Sequence, residues 1–315
     1  MPETGRDCWS QPKVILVATD LTDLDRLMPF ALEQARESGG RLLMLHVLAA
    51  GVGISMDAAG MPYYDPSGAL ESAQEALTPC CEAARREGVA CDALVREGHA
   101  AQEIEAAANQ FHADLILLGT RSRSKLEKLF LGSVAEQVLR SVNLPVMTVG
   151  PEAHLPAENE EAERVVLYAT TLKDTCRPSA ALACQIAASQ KANLVLLHVL
   201  PPVEEMQRKG LPTGLDSTAL HELRQLASET DAGCCTTVDA HVVHGNPSIE
   251  ILAEASERKA SLIVLGATQR LTLEKLARNR TIYRILAHAR CPVLTLRECA
   301  AKPAEGQAVG LAAHN

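Results

Sequence analysis

Between Leu117 and Val138 the chain reads LLGTRSRSKLEKLFLGSVAEQV. Gly119 closes an apolar run. Four basic residues follow (Arg121, Arg123, Lys125, Lys128) with Glu127 among them, and Gly132-Ser133 opens a segment of helical period. This series is suited to holding an anion. The first amide N–H groups of a helix have no partner within it and stand at the positive end of its dipole, which makes a ready phosphate site. Gly132, lacking Cβ, lets an oxyanion approach bare backbone. Ser133 adds a hydroxyl, and Arg121, Arg123 and Lys125 add charge-assisted hydrogen bonds. Asp20, at the end of another apolar run, is an acceptor fit for a ribose hydroxyl or a base amino group. Each feature also has a plain structural reading. Ser133-x-x-Glu136 is a capping box, Gly119 a chain turn, and the basic loop a solvated face. Their combination at this spacing favours phosphate.

Other chemistries find less support. The phosphate loop GxxxxGK[ST] is absent, and GVGISM from Gly51 lacks the third glycine of a dinucleotide fingerprint. No GxSxG elbow or HExxH pair occurs. His46 and His198 close matching apolar runs and read as structural polar stops, with no carboxylate or nucleophile beside them in sequence. His99 and His244 flank glycines and read as loop residues. The ten cysteines include the doublets Cys80-Cys81 and Cys234-Cys235 but no CxxC. They read as small apolar filler or exposed thiols rather than metal ligands. No base for attack by water is identifiable, so the chain is not expected to be an enzyme beyond slow turnover.

The elements that must position these residues are read from periodicity. VILVAT, LLMLHV, LILLG and VMTV are nearly continuous apolar runs, the mark of strands covered on both faces in a parallel sheet. Leu24, Leu27, Met28, Ala31, Leu32 and Ala35 form a helical stripe. Ile104, Ala107, Ala108 and Phe111 form a second, and Val134, Val138 and Val142 a third. Alternation of this kind predicts a doubly wound α/β sandwich. In such folds ligands bind beyond the carboxyl ends of strands, where the strand order reverses.

The whole pattern occurs twice. KVILVATDLTD from Lys13 returns as RVVLYATTLKD from Arg164, RLLMLHVL as NLVLLHVL, ADLILLGTRSR from Ala113 as ASLIVLGATQR from Ala260, and LPVMTV as CPVLTL. This predicts two units, 1–150 and 164–299, joined by a proline- and acid-rich linker, 151–163, and followed by a flexible tail, 300–315. The final strand of each unit, PVMTV or PVLTL, would leave a sheet edge exposed. Edge-to-edge pairing within the chain covers both, and a further homodimer is an expectation. DAAGMPYYDPSG from Asp57, within an insertion at 51–68, has no close counterpart in the second unit; it reads as a mobile segment, a lid or a partner surface.

The 315 residues carry a formal charge of −9, with 22% charged, 47% hydrophobic and 3% aromatic residues. The acidic balance and scarce aromatics argue against nucleic-acid or anionic-membrane partners. No run is long and apolar enough to span a membrane. The first residues read without an export signal, so a cytoplasmic protein is expected.

The segment from Gly119 to Ser133 resembles the G-x-x-G-(nine)-G-[S/T] signature of the universal stress protein family, and ILVATD and LHV resemble its first two strands. The likeness covers almost the whole chain, twice. It implies α/β architecture with two doubly wound five-stranded parallel sheets, strand order 3-2-1-4-5, the adenine nucleotide alpha hydrolase-like arrangement. It further implies that the ligand is ATP, with AMP or ADP as alternatives, and Mg2+ held through the phosphates. Residue by residue, Ala18, Thr19 and Asp20 match the first-strand contacts, with Asp20 reading the adenosine moiety, and Val47 lies beside adenine. Leu118 and Gly119 border ribose and phosphates. Arg121, Gly132, Ser133 and Val134 match the phosphate cradle, joined by Ser122, which replaces the second glycine. The second unit departs further, with Thr171 for Asp20, Gln269 for the second glycine and Asn279-Arg280 for Gly-Ser. A nucleotide-dependent stress sensor or regulator with a degenerate second copy and an unknown protein partner is the leading expectation. A scaffold that binds no nucleotide is the alternative, and an adenylating enzyme is less favoured.

Overall fold

The continuous apolar runs become parallel strands because both faces of each are covered by helices. The computed structural model describes residues 11–51, 54–56, 59, 61–120, 131–155, 163–172, 177–210, 212, 214–230, 237–268 and 280–298. The first repeat runs β1 Val14–Thr19, α1 Leu24–Ser38, β2 Arg41–Ala49, β3 Ile54–Met56, β4 Pro62–Tyr64, α2 Ser67–Arg86, β5 Cys91–Gly98, α3 Ala100–Gln110, β6 Leu115–Gly119, α4 Ser133–Ser141 and β7 Val146–Val149. The second runs β8 Val165–Ala169, α5 Arg177–Ser189, β9 Asn193–Leu200, α6 Val203–Arg208, α7 Leu215–Thr230, β10 Val238–His244, α8 Pro247–Glu257, β11 Leu262–Thr268, α9 Arg280–His288 and β12 Val293–Glu298.

The sheet order is β10-β9-β8-β11-β12-β7-β6-β1-β2-β5. Each repeat therefore contributes five parallel strands in the order 3-2-1-4-5, and the two halves fuse into one ten-stranded sheet. The join is antiparallel: Val293, Leu294 and Thr295 pair with Thr148, Met147 and Val146. The exposed edges expected of β7 and β12 thus cover one another, and Thr148 Oγ1 also donates to Val293 O at 3.2 Å.

Side chains alternate across the strands with period two. Ile15, Val17, Leu42 and Met44 enter a core with α1, α2, α5 and α7. Leu16, Ala18, Leu43 and Leu45 enter a second core on the other face with α3, α4, α8 and α9. Both cores run through both repeats, so the seam interrupts neither layer. Gly150 packs closely there: a Cβ would stand 3.2 Å from Leu286 O and 3.4 Å from Ala289 O. Arg164 adds a tie by reaching across to α1, with Nη2 2.9 Å from Glu33 and Nη1 on Glu37. Gln190 Nε2 donates to the same Glu37 at 2.9 Å.

The linker leaves the seam in contact, with His154 N–H donating to Arg290 O at 3.1 Å. Linker residues 156–162 and the tail from 299 lie outside the described residues. The insertion expected to be mobile contains a two-stranded antiparallel hairpin, β3–β4, with Ile54 opposite Tyr64 and Met56 opposite Pro62. Tyr64 hydroxyl donates to Glu97 near the end of β5, which ties the hairpin to the sheet. The second repeat places α6 after the corresponding strand instead.

Candidate functional site

Order reverses between β1 and β6, which are neighbours although helices and strands intervene; Ala18 pairs with Leu118. Ala18 and Leu118 are buried beneath the crevice. Beyond them both strands end, and the start of α4 stands beside the end of β6, where Gly132 N–H meets Thr120 O. β2 pairs with β1 as Thr19 opposite His46, so half-buried Val47 lies one residue further out, level with Asp20. The structure thereby brings Ala18, Thr19, Asp20, Val47, Leu118, Gly119, Gly132, Ser133 and Val134 to one end of the sheet. Arg121 and Ser122, with the rest of the basic loop to residue 130, lie outside the described residues.

Local bonding assigns several of these residues structural duties. Thr19, 8% exposed, donates Oγ1–H to Asp23 Oδ1 at 2.6 Å and accepts from Leu21 N–H at 2.9 Å. That pair of bonds holds Leu21 at φ 69°, a left-handed conformation rare for a residue with Cβ. His46 Nδ1 lies 2.9 Å from Thr19 O, and a carbonyl can only accept, so the proton sits on Nδ1. The reading of His46 as a polar stop therefore holds. Asp20 is exposed, and its Oδ1 accepts from Thr22 N–H at 2.9 Å and Thr22 Oγ1–H at 2.7 Å.

Two residues missed in the sequence close the floor. Asp23 is 7% exposed, and burial raises its carboxyl above the ordinary 3.8 despite the Thr19 bond and Arg26. Arg26 lies 3.7 Å from it. Gly119 is more than a chain turn: a Cβ would stand 2.4 Å from Asp23 Oδ2 and 2.9 Å from Arg26 Nη2. Its bare face admits this ion pair. Thr120, next in sequence, is 1% exposed, and its hydroxyl has no hydrogen-bond partner among the described residues. Nothing in the sequence marks Thr120, whereas a second aspartate three residues after Asp20 was a visible signal for Asp23.

At the helix start the expected bare amide at Gly132 is corrected. Gly132 N–H donates to Thr120 O at 2.7 Å, and a Cβ at Gly132 would stand 3.1 Å from that same oxygen. The glycine allows a close backbone crossing, and its amide is used within the protein. The capping box is also not formed. Gly132 takes the N-cap with φ −58° and ψ 142°, so Ser133 is the first helical residue rather than the cap. Glu136 N–H closes the first helical bond, to Gly132 O at 2.9 Å. The amides of Ser133, Val134 and Ala135 thus precede the ladder, and Ser133 and Val134 are exposed. Glu136, freed from capping, takes Arg140 on its own helix and Tyr283 on α9 of the other repeat. Burial, more than these partners, pushes the Tyr283 hydroxyl up to about 12.

The second repeat keeps the frame and changes the fittings. Thr170 Oγ1 accepts from Leu172 N–H at 3.1 Å, Leu172 has φ 56°, and His198 Nδ1 lies 2.9 Å from Thr170 O. Thr171 stands where Asp20 was. β11 continues through Ala267 and Thr268, paired with Arg297 and Glu298, where β6 ends at Gly119. Gln269 and Asn279 lie outside the described residues, and α9 begins at Arg280. Of the two histidines expected in loops, His99 stands in the connection between β5 and α3, and His244 does not. His99 is the N-cap of α3, and His244 ends β10 bonded to Pro201 O at 3.0 Å and to Asp216. Both bonds hold the His244 proton and raise its pKa, the Asp216 carboxylate foremost.

Comparison with known proteins agrees with this doubled geometry. The model of the universal stress protein family matches residues 12–150 and again 163–297. The chain belongs to the universal stress protein family. As a tandem universal stress protein it is 31% identical over 138 residues to universal stress protein MJ0531 of Methanocaldococcus jannaschii, a match covering 44% of this chain and 81% of that one. It shares its fold with a universal stress protein crystal structure from Archaeoglobus fulgidus DSM 4304, at TM-score 0.69 and 20% identity, covering 92% of this chain and all of the other. A further Archaeoglobus fulgidus family structure, solved in complex with dAMP, is 24% identical over 43% of this chain and 95% of its own, at TM-score 0.34. No helix among the described residues of this tandem universal stress protein is long and apolar enough to cross a membrane.

Proposed function

We propose that the first repeat binds ATP and that the protein acts as a nucleotide-dependent regulator in a stress response. The observation that carries this reading is the α4 N-terminus. Its leading amides at Ser133–Ala135 precede the helical ladder and stand beside the end of β6 at the strand-order switch, and exposed Asp20 follows the end of the neighbouring β1. The residues present fit a phosphate tail. Gly132 keeps side-chain bulk out of the approach, the helix end supplies amides and dipole, and Ser133 adds a hydroxyl not consumed as an N-cap. Arg121 and Ser122 would complete the cradle. Asp20 would take ribose or base donors, with Val47 against the adenine. Mg2+ bound through the phosphates would offset their mutual repulsion.

Binding alone does not regulate; ATP must prefer one of two conformations. The route we assign runs along α4. Its first turn holds Ser133 and Glu136, its last turn holds Arg140, and Glu136 and Arg140 meet Tyr283 of the second repeat. Turnover is expected to be slow. The nearby carboxylates are engaged, Asp23 by Thr19 and Arg26, Asp20 by Thr22, so neither stands ready to take a proton from water.

A scaffold that binds no nucleotide is favoured by one observation: the Gly132 amide and the space beside Gly119 are both filled from within. Calorimetric titration of the full chain with ATP and magnesium separates the two readings. One site per chain is expected. No binding at millimolar ATP would establish the scaffold reading, and two equal sites would remove the asymmetry between repeats.

A further inference from the structure

We propose that Cys81 and Cys91 are an oxidisable dithiol that closes to a disulfide inside the first repeat when the protein meets a hydroperoxide. Cys81 sits in the last turns of α2 and Cys91 opens β5, the outermost strand of that half of the sheet. Their sulfurs are 3.0 Å apart, and each residue is 2% exposed. A disulfide bond is about 2.05 Å long, so closure requires an approach of about 1 Å between elements already packed together. The doublet in the sequence points elsewhere: Cys80, the immediate neighbour of Cys81, is only partly buried and is not the partner.

The pair belongs to one repeat only. By strand register Cys91 corresponds to Val238, since Leu42 and Leu194 pair with them in turn. By helix spacing Cys81 corresponds to Ala227, with Leu77 matching Leu223. At these two positions the second repeat packs Ala227 and Val238, while Cys234 and Cys235 lie outside the described residues, so filler alone does not require two thiols there.

The local chemistry favours a defined order of events. Cys91 donates its S–H to Cys81, and Arg85 adds positive charge, which together lower the Cys81 thiol, while the same bond and burial raise Cys91. The Cys81 thiolate attacks the peroxide O–O bond and becomes a sulfenic acid, releasing an alcohol, or water from hydrogen peroxide. The Cys91 sulfur then displaces hydroxide, which leaves as water with the Cys91 proton. Two thiols lose two electrons and two protons to the peroxide. Because both sulfurs are buried, the reaction waits on local opening of the α2 end. The product staples α2 to β5 across the turn at Glu87–Ala90.

The test uses the full-length protein treated with hydrogen peroxide, followed by alkylation of remaining thiols under denaturing conditions and peptide mass mapping. The expected result is a Cys81–Cys91 linkage reversed by dithiothreitol and retained in Cys80→Ser. The oxidised protein should also melt about 5 °C higher than the reduced one. Cys91→Val, which copies the second repeat, should abolish both the linkage and the shift. Alkylation of Cys81 and Cys91 in full after peroxide, or a linkage through Cys80, would overturn the proposal.

Discussion

The two repeats hold the same skeleton and differ at the mouth of the crevice. Thr19 and Thr170, His46 and His198, and the left-handed Leu21 and Leu172 superpose as a bonding scheme, with matching His–carbonyl distances of 2.9 Å. None of these residues needs a ligand to explain it. What differs is Asp20 against Thr171, Gly132-Ser133 against Asn279-Arg280, and a fourth strand that stops at Gly119 in one repeat and runs to Thr268 in the other. The lesson is that the shared features build the strand-end turn, while the unshared ones are those on which the proposed anion site depends. Resemblance between the copies is therefore evidence of fold, and divergence between them is where function is to be sought.

The strongest test of that contrast is to graft one mouth onto the other. Gly132→Asn with Ser133→Arg should weaken ATP binding by about 100-fold, roughly 2.7 kcal/mol, as read by calorimetry. A side chain at 132 meets Thr120 O and blocks the approach to the amides. Unchanged affinity would mean that the helix end is not the phosphate site. Shared skeleton should respond alike in both copies. Gly98 and Gly245 have φ of 147° and 152°, so Gly98→Ala and Gly245→Ala should each cost about 1–3 kcal/mol in denaturant melts. A large cost in one repeat alone would mean that the skeletons are not equivalent.

The smallest effect concerns Asp23, whose counterpart Asp174 lies outside the described residues. Its folded pKa is raised above 3.8 by burial, so the native state holds the proton more tightly than the unfolded chain. Stability linked to Asp23 is then greatest at low pH and declines as pH rises from 3.8 through the raised value. Asp23→Asn keeps an acceptor for Thr19 and should flatten that decline, by about 1 kcal/mol or less. A variant whose pH–stability curve runs parallel to the wild type would place the charge cost elsewhere.

Much of the architecture was visible in composition and period. Unbroken apolar runs read as two-faced strands, and the repeat of four such runs foretold two equal sheets. The exposed final strands called for partners and found each other. What could not be read was any feature set by packing between distant segments. Ser133-x-x-Glu136 has the letters of a capping box, yet the crossing of Gly132 over Thr120 moves the N-cap one residue earlier. The Asp23–Arg26 pair depends on a missing Cβ at Gly119, nearly a hundred residues away. The nearness of Cys81 to Cys91 follows from helix α2 folding back on β5, whereas the written doublet suggested Cys80. The β3–β4 hairpin looked like loose chain because its glycines and prolines break every period.

The antiparallel seam of β7 and β12 has a geometric consequence. Strands in the two halves run in opposite directions, so their carboxyl ends, and with them the two mouths, open at opposite rims of one slab. A molecule that docks over the rim of the first repeat stands away from the rim of the second, which leaves that far rim free to evolve for a different guest.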